Sequence, residues 1–205
     1  MPGYAWGQAT TDVNAGTVQA LAEGTTWVKM YCSDTNINYT ADVQVHFLEE
    51  GKEYYVRNRD SGMQLSAANQ TAANSQVWQE SSKNSHSKRF SFESVDKTTP
   101  YLYIKHLHSG LYLGVENNSA EHDAKLKIAS KNVSADGQKF KITRTTDNYF
   151  QIMPKTGESG SPQRVLSPVN TLLNGDQICQ RNLGVSNLDE EWEFLKKLYP
   201  SGSEI

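Results

Sequence analysis

The sequence predicts an all-β chain whose strands close into a barrel-like body with threefold pseudo-symmetry, and three observations predict it. Short stretches of alternating apolar and polar residues are separated by polar, glycine-bearing turns, the pattern of strands with one face in a core. The closing stretch Arg89-Phe90-Ser91-Phe92 reappears as Lys139-Phe140-Lys141-Ile142 and as Glu191-Trp192-Glu193-Phe194, an internal repeat of about fifty residues. In each copy a residue of the third strand precedes the closing aromatic by twelve positions: Trp78 to Phe90, Ile128 to Phe140, Gln180 to Trp192. Three copies of four strands must close on themselves, because an open sheet leaves unpaired edges. Three blades are fewer than the roughly 4–8 of a propeller.

Composition narrows the function classes. At 205 residues the chain is long enough for one good core, and 21% charged with 37% hydrophobic residues suits a folded domain. A formal charge of -3 gives no basic footprint, which argues against a nucleic-acid partner. No apolar run reaches the ~20 residues that span a bilayer, so no membrane insertion is expected. The start, Met1-Pro2-Gly3-Tyr4-Ala5-Trp6, lacks the basic and apolar regions of a signal peptide, so the expectation is a cytoplasmic chain as synthesised. Cys32 and Cys179 stand in no metal-binding spacing and are expected as two buried thiols. The Asn-x-Ser/Thr triplets starting at Asn38, Asn69, Asn117 and Asn132 mark polar loops.

In chain order, residues 1–50 read as an extension. A short helix fits Ala15 to Ala22, capped by Asn14 and stopped at Gly24. The β-rich runs Trp27 to Cys32 and Val43 to Phe47 then read as a hairpin about a polar loop. Residues 51–198 form the repeated domain. Its first strands are Tyr54-Tyr55-Val56, Leu102-Tyr103-Ile104 and Phe150-Gln151-Ile152. Each of the first two is followed by a tight turn and a core leucine, in Ser61-Gly62-Met63-Gln64-Leu65 and Ser109-Gly110-Leu111-Tyr112-Leu113. In the third copy Leu166 takes this part after an enlarged loop in Lys155 to Gln163. The third strands are Gln76-Val77-Trp78, Leu126-Lys127-Ile128 and Ile178-Cys179-Gln180, and residues 199–205 are a tail.

The pattern Tyr-x-(Val/Ile), Ser-Gly-x-x-Leu, Gln-x-Trp and Gln-x-aromatic resembles the ricin-B-type β-trefoil lectin family over about residues 51 to 198. The family's hallmark Gln-x-Trp is approximated by Gln138-Lys139-Phe140; Lys88-Arg89-Phe90 and Glu190-Glu191-Trp192 depart from it. The resemblance implies a β-trefoil with a shallow sugar pocket in each repeat. The parts of that pocket are an Asp after the repeat's Leu, a Gln two places before an aromatic, and an Asn-Gln pair before the closing aromatic. Carried over, the first copy offers Ser66, Gln76, Trp78, Ser87 and Lys88, with Asn69 as a polar neighbour. The second offers Gly114, Ile128 and Gly137-Gln138; the third Ser167, Gln180 and Asp189-Glu190. None has the Asp, a carboxylate whose charge-assisted bonds to sugar hydroxyls are roughly twice as strong as neutral ones. On this reading the candidate carbohydrate-binding residues are Ser66, Asn69, Gln76, Trp78 and Ser87.

Other chemistries find little support. There is no Gly-x-Ser-x-Gly, phosphate-cradling loop or His-Glu-x-x-His, so the expectation is a non-enzymatic protein without cofactor or metal. His106, His108 and His122 read as polar surface histidines, and Asp189-Glu190-Glu191 as a solvated acidic run. The expected function is a lectin binding glycans, of galactose or another type. It would gain strength from multivalency, as a homo-oligomer or as the targeting module of a toxin with a partner protein. The alternative is a protease inhibitor presenting the 154–162 loop.

Overall fold

A computed structural model describes residues 48–67, 71–81, 85–96, 98–145, 149–170, 172–184 and 187–196, and the backbone of 24–32 and 37–45. The expected helix Ala15 to Ala22 and the tail lie outside the described residues. β1 (Gly24–Cys32) and β2 (Ile37–Val45) pair antiparallel along their whole length, from Gly24 opposite Val45 to Cys32 opposite Ile37.

Among the described residues the body holds thirteen strands. They are β3 (Tyr54–Asn58), β4 (Gln64–Ser66), β5 (Ser75–Gln76), β6 (Trp78–Glu80) and β7 (Phe90–Ser94); then β8 (Tyr101–His106), β9 (Tyr112–Val115), β10 (Ala124–Ala129) and β11 (Phe140–Arg144); then β12 (Phe150–Pro154), β13 (Arg164–Pro168), β14 (Ile178–Asn182) and β15 (Trp192–Lys196). Six of them form a ring: β3 pairs β7, β7 pairs β8, β8 pairs β11, β11 pairs β12, β12 pairs β15, and β15 returns to β3. The sheet is therefore a closed barrel with no edge left on that ring.

The closing aromatics stand where the ring's strands meet. Phe90 faces both Tyr54 and His106, Phe140 faces both Leu102 and Pro154, and Trp192 faces both Phe150 and Asn58. All three are fully buried, and the Trp192 Nε1–H donates to the Leu166 carbonyl at 3.0 Å. Fully burying side chains of this size stabilises by roughly 1.5–3 kcal/mol each. Phe92, Phe150 and Phe194 pack ring on ring beside them, with centroids 5.2 and 5.3 Å apart.

A single turn of 310 helix precedes each closing strand: His86–Lys88, Asp136–Gln138 and Leu188–Glu190. The last residue of each turn is buried and ties down the loop before it. Lys88, a donor only, reaches the Ser81 carbonyl at 2.5 Å. Gln138 does both jobs, donating to Ser130 O at 3.0 Å and accepting from Asn132 N at 2.7 Å. Glu190, an acceptor only, receives Gly184 N–H and the Asn187 amide, each at 3.0 Å. The departures from Gln at 88 and 190 thus preserve one structural task with different hydrogen-bond chemistry. Glu190 is accordingly buried rather than solvated, and burial pushes its pKa up. Its neighbour Glu191 is ion-paired with Arg59.

Two further expectations are corrected. Gln76-Val77-Trp78 is not one strand: Gln76 pairs with Lys127 of β10, while Trp78 pairs with Ser66 of β4. Val77 is the fully buried crossing point, its N–H bonded to Leu126 O and its carbonyl to Ile178 N. The twelve-residue interval also misaligns the copies. Leu65 faces Gln79, Leu113 faces Ile128, and Leu166 faces Gln180, so the equivalents of Trp78 are Lys127 and Cys179. A shift of one residue moves a side chain to the opposite face of a strand.

Candidate functional site

The structure places four of the five residues read from the sequence. Ser66 is fully buried opposite Trp78. Ser87 is buried in its 310 turn, its hydroxyl shared with Ser85 Oγ at 2.7 Å. Neither hydroxyl is presented to solvent, because both positions lie where strands and turn pack. Trp78 is half-buried and bridged to Gln177 at the start of β14, Gln76 is exposed, and Asn69 lies outside the described residues.

His106 is also not a surface residue. It is fully buried, with Nε2 donating to the Ser87 carbonyl at 3.1 Å and Nδ1 accepting from Ser109 Oγ at 2.8 Å. Ser109 Oγ in turn accepts the Leu111 N–H at 3.2 Å, so every partner suits a neutral ring. Burial lowers the His106 pKa to about 4, with His108 pushing the same way. Asn58 occupies the matching place in the first copy. It donates to Asp189 O at 2.7 Å and accepts from Ser61 N at 3.1 Å.

A cleft does exist, in the second copy. It has a volume of about 500 Å³ and sits over β9 and β10, where Gly114 faces Lys127. Its walls are the turn Glu116-Asn117-Asn118, the loop Ser130-Lys131-Asn132 and Gly137-Gln138, with Ala73 and Asn74 reaching in from the first copy. The exposed Gln76 is the direct strand neighbour of Lys127 and so borders it.

The cleft coincides with a difference in how the adjoining loops are tied. Gln79 and Gln180, buried on equivalent strands, clamp the loop of the adjoining copy: Gln79 Nε2 reaches Leu173 O at 3.2 Å, and Gln180 Nε2 reaches Glu121 O at 2.7 Å. The second copy has Ile128 at that position, an apolar side chain with no amide to give. The adjoining segment is held there by the backbone bond from Asn74 N to Ile128 O, at 2.7 Å.

The chemistry of the walls is that of donors. Asn117 and Asn118 adopt positive φ, which places two amides in sequence on the turn, and the Asn118 carbonyl oxygen is taken by Gly137 N–H. Lys127 Nζ meets Glu116 at 2.5 Å. Lys131 Nζ lies 4.4 Å from the Tyr103 ring centre and 5.1 Å from that of Tyr112, and it donates to Glu93 at 2.9 Å. Glu93 also accepts the Tyr112 hydroxyl at 2.9 Å; burial first, then this carboxylate, push the Tyr112 pKa up to about 12. There is no space for a carboxylate at position 114. A Cβ on Gly114 would lie 2.8 Å from Gln138 Cγ, the side chain that ties the 130–132 loop.

The 154–162 loop is packed down rather than extended. Its one turn of helix, α1 (Lys155–Glu158), buries Gly157, whose Cβ would collide with Arg164 at 2.9 Å. Glu158 is bonded to Tyr101 and lies 3.1 Å from Lys141 Nζ. Cys179 is a free, buried thiol, its pKa raised to about 12 by burial and by Asp123. Among the described residues no cluster of His, Cys, Asp or Glu could hold a metal, and no helix is long and apolar enough to cross a membrane.

Residues 86–161 match the family described as "Ricin-type beta-trefoil lectin domain-like". Among solved structures, the fold is similar to the designed threefold-symmetric protein ThreeFoil, with a TM-score of 0.63 and 21% identity over 70% of this chain and 97% of that one. It is similar to the Macrolepiota procera ricin B-like lectin, solved in complex with lactose, with a TM-score of 0.59 and 15% identity over 76% of this chain and 100% of that one. A mosquitocidal holotoxin matches with a TM-score of 0.66 and 14% identity over 78% of this chain and 18% of that one. A comparison with curated protein sequences finds no match. Over residues 86–161 the sequence is similar to the ricin-type β-trefoil lectin domain, and over most of its length the fold is similar to that of solved β-trefoil structures.

Proposed function

We propose that the protein is a non-enzymatic carbohydrate-binding module, a β-trefoil of three pseudo-repeats within residues 51–198, and that it binds glycans in the cleft of the second repeat. The observation that carries this reading is the cleft itself, a hollow rimmed by Asn and Lys side chains beside Gly114, the residue after the leucine of Ser109-Gly110-Leu111-Tyr112-Leu113. Gln76 belongs to the rim of this site, and Trp78 offers a second, aromatic surface one strand away. Ser66 and Ser87 hold the frame. Each site is shallow and wet, so strength comes from several sites or several copies. The mosquitocidal holotoxin, in which a similar fold occupies a fraction of a longer chain, favours a targeting module as the wider role.

The test is a glycan array read in a multivalent format, repeated with Asn117→Ala, Gln76→Ala and Trp78→Ala. The expected result is a signal that weakens with Asn117→Ala and Gln76→Ala more than with Trp78→Ala. A silent array at high protein density sinks the reading.

A further inference from the structure

We infer that the cleft takes an acidic sugar, a glycan bearing a carboxylate or a sulfate. The inference rests on the carbohydrate-binding reading above and names the ligand class for that site.

Three observations lead to it. First, the corrected register puts Lys127 where the first copy has Trp78. An aromatic at this position offers a face for the apolar side of a neutral pyranose; a lysine offers an ammonium. Second, a carboxylate acceptor at position 114 is absent and sterically opposed, since Gln138 fills the space a side chain there would need, and the wall carboxylate Glu116 is engaged with Lys127. Third, the walls carry two lysines, Lys127 paired with Glu116 and Lys131 paired with Glu93, and each ammonium keeps further donors for an incoming anion. The amides of Asn117 and Asn118 add neutral donors, whereas Gln138 is spent at both ends within the fold.

Such a surface is the complement of an anion with several acceptor oxygens. An ammonium to a carboxylate or sulfate makes a charge-assisted bond about twice as strong as the neutral bond a hydroxyl would form. Lys127 keeps donors beyond the one facing Glu116, because an ammonium has three. Glu116 then acts as a competitor: it holds Lys127 in place when the cleft is empty and yields part of that contact to the incoming anion. Both side chains are partly exposed, at 22% and 31%, so the exchange occurs at a solvated surface and is screened by salt.

The experiment is titration calorimetry or NMR titration of the whole chain at low and high salt. The probes are a uronate-containing disaccharide, a sulfated disaccharide, the neutral counterpart of each, lactose, and sodium sulfate alone. The expected result is at least tenfold tighter binding of an acidic disaccharide than of its neutral counterpart at low salt, narrowing as salt rises. Lys127→Gln brings that ratio towards one, and Glu116→Gln widens it several-fold; both variants are checked for an unchanged melting temperature. If neutral and acidic sugars bind equally well, the acidic class is overturned while carbohydrate binding stands. If sodium sulfate binds as tightly as the sulfated disaccharide, the cleft is a bare anion site and the sugar class is overturned. If no sugar of either kind binds, the carbohydrate reading falls with it.

Discussion

The surroundings of Trp78 and the cleft beside Lys127 are built on equivalent strands yet have opposite characters. In the first region Ser66, Gln79 and Ser87 are buried and Trp78 is half-buried. Gln79 reaches Ser61 Oγ at 2.8 Å and the loop at Leu173, and Ser87 O receives His106. In the second region the same strand positions hold Lys127 and Ile128, the adjoining loop is bonded through Asn74 N to Ile128 O, and a hollow of about 500 Å³ is present. One amide exchanged for an aliphatic side chain thus separates a loop tied by the Gln79 side chain from one tied by the backbone bond of Asn74 N to Ile128 O. A buried polar side chain must find partners, and in doing so it closes the space around it; an aliphatic one makes no such demand.

The largest expected effect breaks the first region. His106 has an ordinary pKa near 6.5 when unfolded and about 4 when folded, so the unfolded chain takes up the proton first as pH falls. The stability this group gives is intact above pH 6.5 and is lost between about pH 6.5 and 4. The total is about 3 kcal/mol at 1.36 kcal/mol per pKa unit. Denaturant midpoints at pH 7 and pH 4.5 measure it. His106→Asn, which mimics Asn58 in the first copy, should flatten the acid limb. An unchanged acid limb in that variant would mean the proton goes elsewhere.

Next comes the second region. Gly114→Asp restores the residue type of the family pocket but drives a side chain into Gln138 Cγ at 2.8 Å, and overpacking of this kind costs about 1–3 kcal/mol. Thermal melts should show the loss with no gain in galactose binding. Native stability together with new galactose affinity would show that the two regions differ less than their side chains suggest.

The smallest effect concerns the third copy. Burial raises the Glu190 pKa, so keeping the carboxylate charged opposes folding as pH rises through that raised value, and the opposition vanishes at acid pH. Glu190→Gln retains an oxygen for Gly184 N–H and is expected to stabilise by a few tenths to about 1 kcal/mol at pH 7. The gain should disappear at pH 4, and urea midpoints at the two pH values decide it.

The all-β class, the core leucines Leu65, Leu113 and Leu166, and the aromatics Phe90, Phe140 and Trp192 were legible because each is a local pattern: alternation, a turn, a large apolar residue at a strand start. The candidate site was legible only in part. Gln76 borders the cleft, but Lys127 was missed because the copies were counted back from the closing aromatic. The first copy is one residue shorter on that side, and the second is one residue longer on the leucine side, so only the strand pairing of Leu65 with Gln79 and of Leu113 with Ile128 aligns Lys127 with Trp78. His106 and Glu190 looked like surface residues, since nothing near them in sequence shows that Ser87 O and Gly184 N–H will need partners.

By itself the sequence determined the strand alternation and which side chains had to be buried, since these follow from residue type at period two. Only the tertiary structure decided which hollow stays open, because that depends on amides and loops of adjoining copies meeting across the barrel. Gln79 ties the loop at Leu173 and Gln180 the loop at Glu121, while the cleft beside Lys127 lies where Ile128 has no side-chain amide to offer.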